Sequence, residues 1–458
     1  MDLAIGFDLG TTHLKWLAID QLSGRPVWDG QVAASTVTQG VISEQDPIAI
    51  GNHVQRILGQ ASQYGRVSRM SFSAAMHSLL VVDADGIPVT GALTWMDKRS
   101  QDTAHALTLD GLGPTLRRDT GMPIHTMSPL VKWLHLRPSH AGHQPVALRD
   151  YIVFLLTGQW VTDYSIAASS GFLGVDGRWL PTALDLAGLE LECMPTLYDM
   201  ARRFPALQYD AEVILGGSDG ACAHLNLQIP QDGSIAVLAM GTSGALRTTL
   251  PSSSDDPSLF SYYIGPERGY LVGSAFSNVG NVLAWLAQVF EIRVEQVITE
   301  GIHAIRSQAS LPLALPYWFG ERSPWWRDGL SGSWLHVGPE HGRSQLIGSM
   351  LLSITASFWH GLKEVALLAS SPQKEIRGGS GLLANRDLAQ WMTDALGLPL
   401  VLRGSGDASL WGAVGLAYGR HFIPDPSDIH YQPGNRAIQT QLEETWHRIQ
   451  TAVGPLVG

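Results

Sequence analysis

Two segments far apart in the chain follow one plan, and together they restrict the fold more than any other feature. In residues 4–20, two apolar, β-rich stretches flank a turn of Gly10, Thr11 and Thr12, with Asp8 at the mouth of the first stretch. Residues 235–247 repeat strand, turn and strand around Gly241-Thr242-Ser243-Gly244. Both read as β-hairpins. Fixed N–H dipoles and hydroxyl donors in such a turn can converge on an anion with several oxygens, so each turn suits a phosphate. Asp8 would hold a magnesium ion, or its waters, against the same phosphates. One such hairpin is equally an ordinary polar turn. Two of them, one near the start of each half, place a nucleotide between two related domains.

Bulk properties fit that plan. The 458 residues exceed one ordinary core and suit two domains. With 45% apolar and 16% charged residues, large cores can form and no disordered tract is expected. A formal charge of −11 argues against nucleic acid or an anionic membrane as the main partner, while leaving room for a locally basic pocket. Cys193 and Cys222 are too few for a disulfide framework or a zinc site. The first β stretch starts almost at residue 1, so no signal peptide is expected. No apolar run is long enough to span a bilayer, and a reducing cytoplasm is the expected compartment.

The first half alternates β and α. A third β stretch is expected over 30–37, a helix over 47–63, strands over 67–73 and 78–86, and a strand running into a helix at 213–220. Residues 111–145, rich in Gly, Pro and His, read as an insertion carrying substrate contacts. The second half begins with hairpins over 234–250 and 270–274. It continues with a helix over 278–290, a loop-rich stretch over 311–338 and a long helix over 344–368. Residues 375–416 read as strand, Gly loop, helix, strand, loop and helix. The domains are expected at 1–228 and 229–458, joined near 225–233.

The motifs resemble those of the FGGY carbohydrate kinases of the actin-like ATPase superfamily. The resemblance covers nearly the whole chain. It is carried in order by Asp8-Leu9-Gly10-Thr11-Thr12, Ala75-Met76-His77-Ser78-Leu79, Thr94-Trp95-Met96-Asp97-Lys98-Arg99-Ser100, Gly216-Gly217-Ser218-Asp219-Gly220, Gly241-Thr242-Ser243-Gly244 and Gly378-Gly379-Ser380-Gly381. Within the family the chain is most similar to the gluconate kinases, through residues 121–130, 163–167, 218–220 and 319–324. The implied fold is α/β, with two actin-like (ribonuclease H-like) domains around a nucleotide cleft. The implied reaction is transfer of the γ-phosphoryl of ATP, with Mg2+, to the 6-hydroxyl of a sugar acid.

The resemblance also assigns roles. Asp219 becomes the base for the acceptor hydroxyl, against a plain reading as a helix-capping aspartate. Asp8 organises the metal. Gly10, Thr11, Thr12, Lys15, Gly241, Thr242 and Ser243 face the phosphates, although Lys15 alone could be a solvated strand charge. Gly379, Ser380 and Gly381 border the adenosine. Met76, His77, Trp95, Asp97, Arg99 and His125 fall in segments that face the sugar, and sugar recognition is expected from the N-terminal domain. A substrate carboxylate needs a cation or N–H cluster, for which His125, Lys132 and Arg322 are the candidates. The expected partners are a sugar acid and ATP, with a homodimer left open.

Three departures from the family pattern stand at His135, His336 and Leu352-Ser353, where Trp, Gly and a Glu-Gly pair are usual. Other readings remain: a related kinase acting on xylulose, ribulose or a polyol, a non-catalytic sugar sensor, or a dinucleotide-dependent oxidoreductase. The last would use Gly379-Ser380-Gly381-Leu382-Leu383-Ala384 as G-x-G-x-x-A, with Arg403 on a 2′-phosphate.

Overall fold

The computed structural model describes residues 1–307, 310–404, 406–419, 427–434 and 437–457. Two mixed sheets organise it. The N-terminal sheet contains β1 (Asp2–Leu9), β2 (His13–Asp20), β3 (Pro26–Ala33), β4 (Arg66–Ala74), β5 (Arg203–Pro205) and β6 (Glu212–Ser218), in the order β5-β6-β4-β1-β2-β3. β1 pairs antiparallel with β2 from Leu3↔Asp20 to Leu9↔Leu14, and parallel with β4 on its other side. The C-terminal sheet contains β7 (Ile235–Met240), β8 (Gly244–Leu250), β9 (Phe260–Tyr263), β10 (Tyr270–Phe276), β11 (Glu375–Gly378), β12 (Leu400–Leu402) and β13 (Ile429–Tyr431). Its order is β9-β10-β8-β7-β11-β12-β13, and Met240↔Gly244 closes its first hairpin. Each domain thus opens with a hairpin whose first strand is flanked by a parallel neighbour, the pattern of the actin-like fold.

Apolar residues in β1, β4 and β6, including Ile5, Phe7, Phe72 and Leu215, build one core with Val54 and Ile57 of α1 (Pro47–Ala61) and Ile152 of α2 (Leu148–Thr157). α1 starts where the sequence calls for it: Asp46 accepts from the N–H groups of Ile48 and Ala49, and Pro47 opens the helix. The second core gathers on the 26-residue helix Arg343–Leu368, with Met350, Ile354 and Phe358 against Leu238, Leu246 and Phe276. Ser353, one of the departures, is buried in this helix, whereas His135 is exposed.

The third departure has a backbone consequence. His336 stands at φ 61°, the left-handed region in which a Cβ is strained and Gly is not. We expect His336→Gly to raise stability by up to about 1 kcal/mol, the relief of strain exceeding the extra freedom of the unfolded chain. A urea midpoint that falls in this variant would contradict that account.

The two domains are not packed as separate halves. The helix Ala408–Tyr418 lies in the C-terminal half of the sequence, yet Leu410, Val414 and Ala417 pack on Ala4, Leu17 and Ile19 of the N-terminal sheet. It also crosses the helix Asp219–Asn226 so closely that a Cβ on Gly412 would lie 2.1 Å from the Cys222 carbonyl oxygen, so only Gly permits the crossing. Residues 111–145 form short helices that reach the other domain. Arg117 donates to the carbonyls of Asp256 and Leu259, Ser261 N–H donates to Gly121 O at 3.0 Å, and Thr126 Oγ1 donates to Asp328 Oδ2 at 2.7 Å. The third N-terminal strand ends at Ala33, earlier than expected, and a separate short strand covers Thr36–Gln39. Among the described residues no helix is long and apolar enough to cross a membrane.

Candidate active site

Two connected cavities lie between the domains. One, of about 390 Å³, is lined at one end by Gly10, Thr11, Thr12, Gly241, Thr242 and Ser243. The two hairpin turns therefore face the same space from opposite domains. Its other end is lined by Met76, His77, Trp95, Tyr262 and Arg322. The second cavity, of about 500 Å³, is bordered by Gly379, Ser380, Gly381 and Asp407. Both cavities include Lys15, Asp219, Gly241, Arg247 and Ser409. Asp219 thus stands at the junction of an acceptor-sized chamber and a nucleotide-sized one.

The junction is built by the turn after β6. Gly216 takes φ 72° there, and Ser218 caps the helix that follows: its Oγ accepts from Ala221 N–H at 3.3 Å. The capping role therefore belongs to Ser218. The Asp219 carboxylate accepts from Gly220 N–H at 2.7 Å. Burial raises its pKa, and the Arg247 guanidinium works in the opposite direction. Behind the turn, Ser165 Oγ accepts from Ser218 N–H at 2.8 Å and donates to Asp163 at 2.5 Å, while Arg149 donates to Asp163 at 2.7 Å. This buried network fixes the turn from the far side of the cleft.

Beside the first hairpin turn, Asp8 accepts from Ser73 Oγ at 2.7 Å and Ser409 Oγ at 3.2 Å. Burial and the neighbouring Asp407 carboxylate push the Asp8 pKa up. Lys15 Nζ lies 2.5 Å from Asp407 and holds that carboxyl below its ordinary range despite burial. Among the described residues no group of three or more His, Cys, Asp or Glu is arranged to hold a metal. The donors instead suit an ion that takes one carboxylate and completes its shell with phosphate oxygens and water, which is how Mg2+ binds. A cation at Asp8 would also relieve the repulsion that raises its pKa.

At the acceptor end, His77 sits at φ 69° and its Nδ1 lies 2.9 Å from the Ser169 carbonyl. A carbonyl only accepts, so Nδ1 carries the proton and Nε2 keeps its lone pair. Burial lowers the His77 pKa to about 3, so the ring is neutral and Nε2 can accept from a substrate hydroxyl. Arg322 is held by Ser277 Oγ at 3.2 Å and Phe276 O at 2.7 Å, and its guanidinium lies 4.7 Å from the Trp95 ring centre. Burial lowers its pKa to about 10, which leaves it cationic.

Three expected sugar contacts lie elsewhere. Asp97 is fully buried, accepts from Ser43 N–H at 2.9 Å and pairs with Arg99, which also pairs with Glu44. That network ties the loop carrying Trp95 to the strand Ile42–Gln45 and lines neither cavity. His125 accepts from Met127 N–H at 3.1 Å and faces Asp328 at 3.3 Å, on a contact between the domains. Of residues 111–145 only Met127 reaches the acceptor chamber. Lys132 donates to the carbonyls of His77 and Thr94, both at 2.8 Å, so it holds the two loops in place behind the site.

Sequence reasoning missed Arg247, Tyr262, Asp407 and Ser409. A charge inside the apolar strand Gly244–Leu250 was the available sign for Arg247, and Asp407 carried only the look of a helix cap. Arg403 is bonded to Asn226 and paired with Asp428, so it is committed within the fold rather than available to a dinucleotide.

Comparison with known proteins agrees with this geometry. Residues 3–220 match the N-terminal domain, and residues 236–418 the C-terminal domain, of the FGGY family of carbohydrate kinases. The chain is 27% identical over 442 residues to gluconokinase of Bacillus subtilis (strain 168), covering 89% of this chain and 86% of that protein. The gluconate kinase structure from Lactobacillus acidophilus superposes with a TM-score of 0.89 at 25% identity, covering 99% of this chain and 98% of that one. A ligand-bound xylulose kinase structure from the same organism superposes with a TM-score of 0.90 at 24% identity, covering 100% and 99%. Two actin-like domains, a cleft faced by a glycine- and hydroxyl-rich hairpin turn from each, and both family matches in order establish that the chain belongs to the FGGY family of carbohydrate kinases.

Proposed function

We propose that this carbohydrate kinase transfers the γ-phosphoryl of ATP to the 6-hydroxyl of D-gluconate, giving 6-phosphogluconate. The observation that carries the reading is the placement of Asp219 at the junction of the two chambers. A carboxylate there takes the proton of an acceptor hydroxyl as the oxygen attacks phosphorus. Thr11, Thr12, Thr242 and Ser243 surround the transferring group with donors from both domains, while Gly379 to Gly381 border the nucleoside side. Mg2+ at Asp8 would neutralise charge on the phosphate oxygens. Narrowing of the cleft around both ligands would keep water from competing with the sugar for the γ-phosphoryl.

The acid is favoured over a neutral sugar by the cationic acceptor end. Arg322 alone of the three expected carboxylate ligands lines it, whereas His125 and Lys132 are engaged elsewhere. The division into 1–228 and 229–458 goes with this reading, the helix Ala408–Tyr418 crossing back to complete the first domain. So does a cytoplasmic setting, in which Cys193 and Cys222 stay free thiols. The test is ADP release across gluconate, other aldonates, xylulose, ribulose and polyols. Gluconate is expected to give the highest kcat/KM; preference for a pentulose overturns the assignment.

A further inference from the structure

Arg247, which lines both chambers, is a second guanidinium that the proposed phosphoryl transfer leaves without a role. We infer that Arg247 and Arg322 together form the receptor for the acceptor's carboxylate, so that the C-terminal domain holds the charged end of the substrate while Asp219 and His77 of the N-terminal domain take its hydroxyls. The inference rests on the sugar-acid reading above and deepens it.

Four observations carry it. Arg247 rises from β8 into the cleft, makes no ion pair among the described residues, and has a buried Nε without a hydrogen-bond partner. Such a group is costly unless a ligand completes it. Arg322 is fixed through Nε and Nη2 and stacked on Trp95, while its Nη1 makes no hydrogen bond among the described residues. Its sequence neighbour Glu321 favours the Arg322 charge from nearby but makes no ion pair with it: that carboxylate accepts from Ser277 N–H at 2.7 Å, Asn278 Nδ2 at 3.1 Å and the Arg322 backbone N–H at 2.8 Å. Finally, the charged residues lining the first cavity are Lys15, Arg247, Arg322, Asp8 and Asp219; with Lys15 paired to Asp407 and Asp8 given to Mg2+ in the reading above, two guanidiniums are left against the Asp219 carboxylate. An anionic acceptor removes that excess, and planar guanidiniums match a carboxylate's two oxygens. A Cβ at Gly220 would lie 2.8 Å from Arg247 Nη1, so the glycine after the base makes room for the guanidinium.

The test compares D-gluconate with D-glucitol, which has a CH2OH in place of the carboxylate. Arg247→Gln and Arg322→Gln should each raise the gluconate KM by about 10- to 100-fold. Selectivity for gluconate over glucitol should fall by the same factor, with the ATP KM within about threefold of the parent and Arg247→Lys recovering part of the loss. A melting temperature near the parent's excludes misfolding. If Arg247→Gln lowers turnover of gluconate and glucitol alike, Arg247 acts on the transferring phosphoryl group and the inference is overturned. A wild-type enzyme that phosphorylates xylulose and not gluconate contradicts the functional assignment instead. The receptor is then read from inhibition: gluconate should inhibit at least about tenfold more strongly than glucitol, and equal inhibition overturns it.

Discussion

Asp219→Asn is expected to lower kcat by about 10² to 10⁴ while leaving ATP affinity close to that of the parent. The amide is isosteric and can still accept from Gly220 N–H, and Ser218 continues to cap the helix, so the fold has no reason to change. What disappears is the group proposed to take the hydroxyl proton. The pH profile offers a second check. Because burial raises the Asp219 pKa above its ordinary value of 3.8, the base becomes competent only as pH rises through that raised value. Parental kcat/KM should therefore show an acidic limb above the ordinary aspartate range, and the Asn variant should lose it. Near-parental turnover in Asp219→Asn would remove the base from the account.

Asp8→Asn should cut turnover by about 10² to 10³, the range for loss of a preorganised electrostatic element, and raise the Mg2+ concentration needed for half-maximal rate. The same substitution should stabilise the ligand-free protein at neutral pH. The folded-state pKa of Asp8 is raised by burial and by Asp407, so folding favours its protonated form. That contribution is fully present below the unfolded value of about 3.8 and is lost as pH rises through the folded value. Above it, the native protein carries a buried, repelled carboxylate that Asn does not. The melting temperature of the variant should exceed the parent's at pH 8, and the gain should vanish near pH 3. A site that trades stability for charge in this way is typical of catalytic centres. A variant less stable than the parent at pH 8 would mean that Asp8 serves the fold.

Much of this site is legible in the amino-acid sequence, for a local reason. Glycine- and hydroxyl-rich turns, glycine-flanked turns and helix starts are written in consecutive residues, so Gly10–Thr12, Gly241–Ser243, Asp219 and Gly379–Gly381, all of which line the cleft, stand out by type and spacing. The succession of elements over 375–416 is legible for the same reason, and appears as Glu375–Gly378, Arg386–Leu396, Leu400–Leu402 and Ala408–Tyr418. What depends on distant packing is not legible. Asp97 and Arg99 share a motif with Trp95, but only Trp95 turns to the cleft, because Asp97 is drawn to the Ser43 N–H of a strand some fifty residues earlier. The polar residues of 111–145 look like substrate ligands, and instead Arg117 and Thr126 bind Leu259 and Asp328 of the other domain while the Gly121 carbonyl accepts from Ser261 N–H. Arg247 has no motif of its own. Its place is set by distant parts of the chain, the Arg322 guanidinium lining the same cavity and the close approach of its Nη1 to Gly220.

The central claim, phosphoryl transfer to the terminal hydroxyl of an aldonate, is tested most directly by the position of the new phosphate. Purified protein incubated with Mg-ATP and 13C-labelled D-gluconate should give one phosphomonoester. Its 31P resonance should couple to C6 and its two protons, with ADP formed in equal amount. ADP release without a sugar phosphate, or a phosphate on any other carbon, would contradict the account.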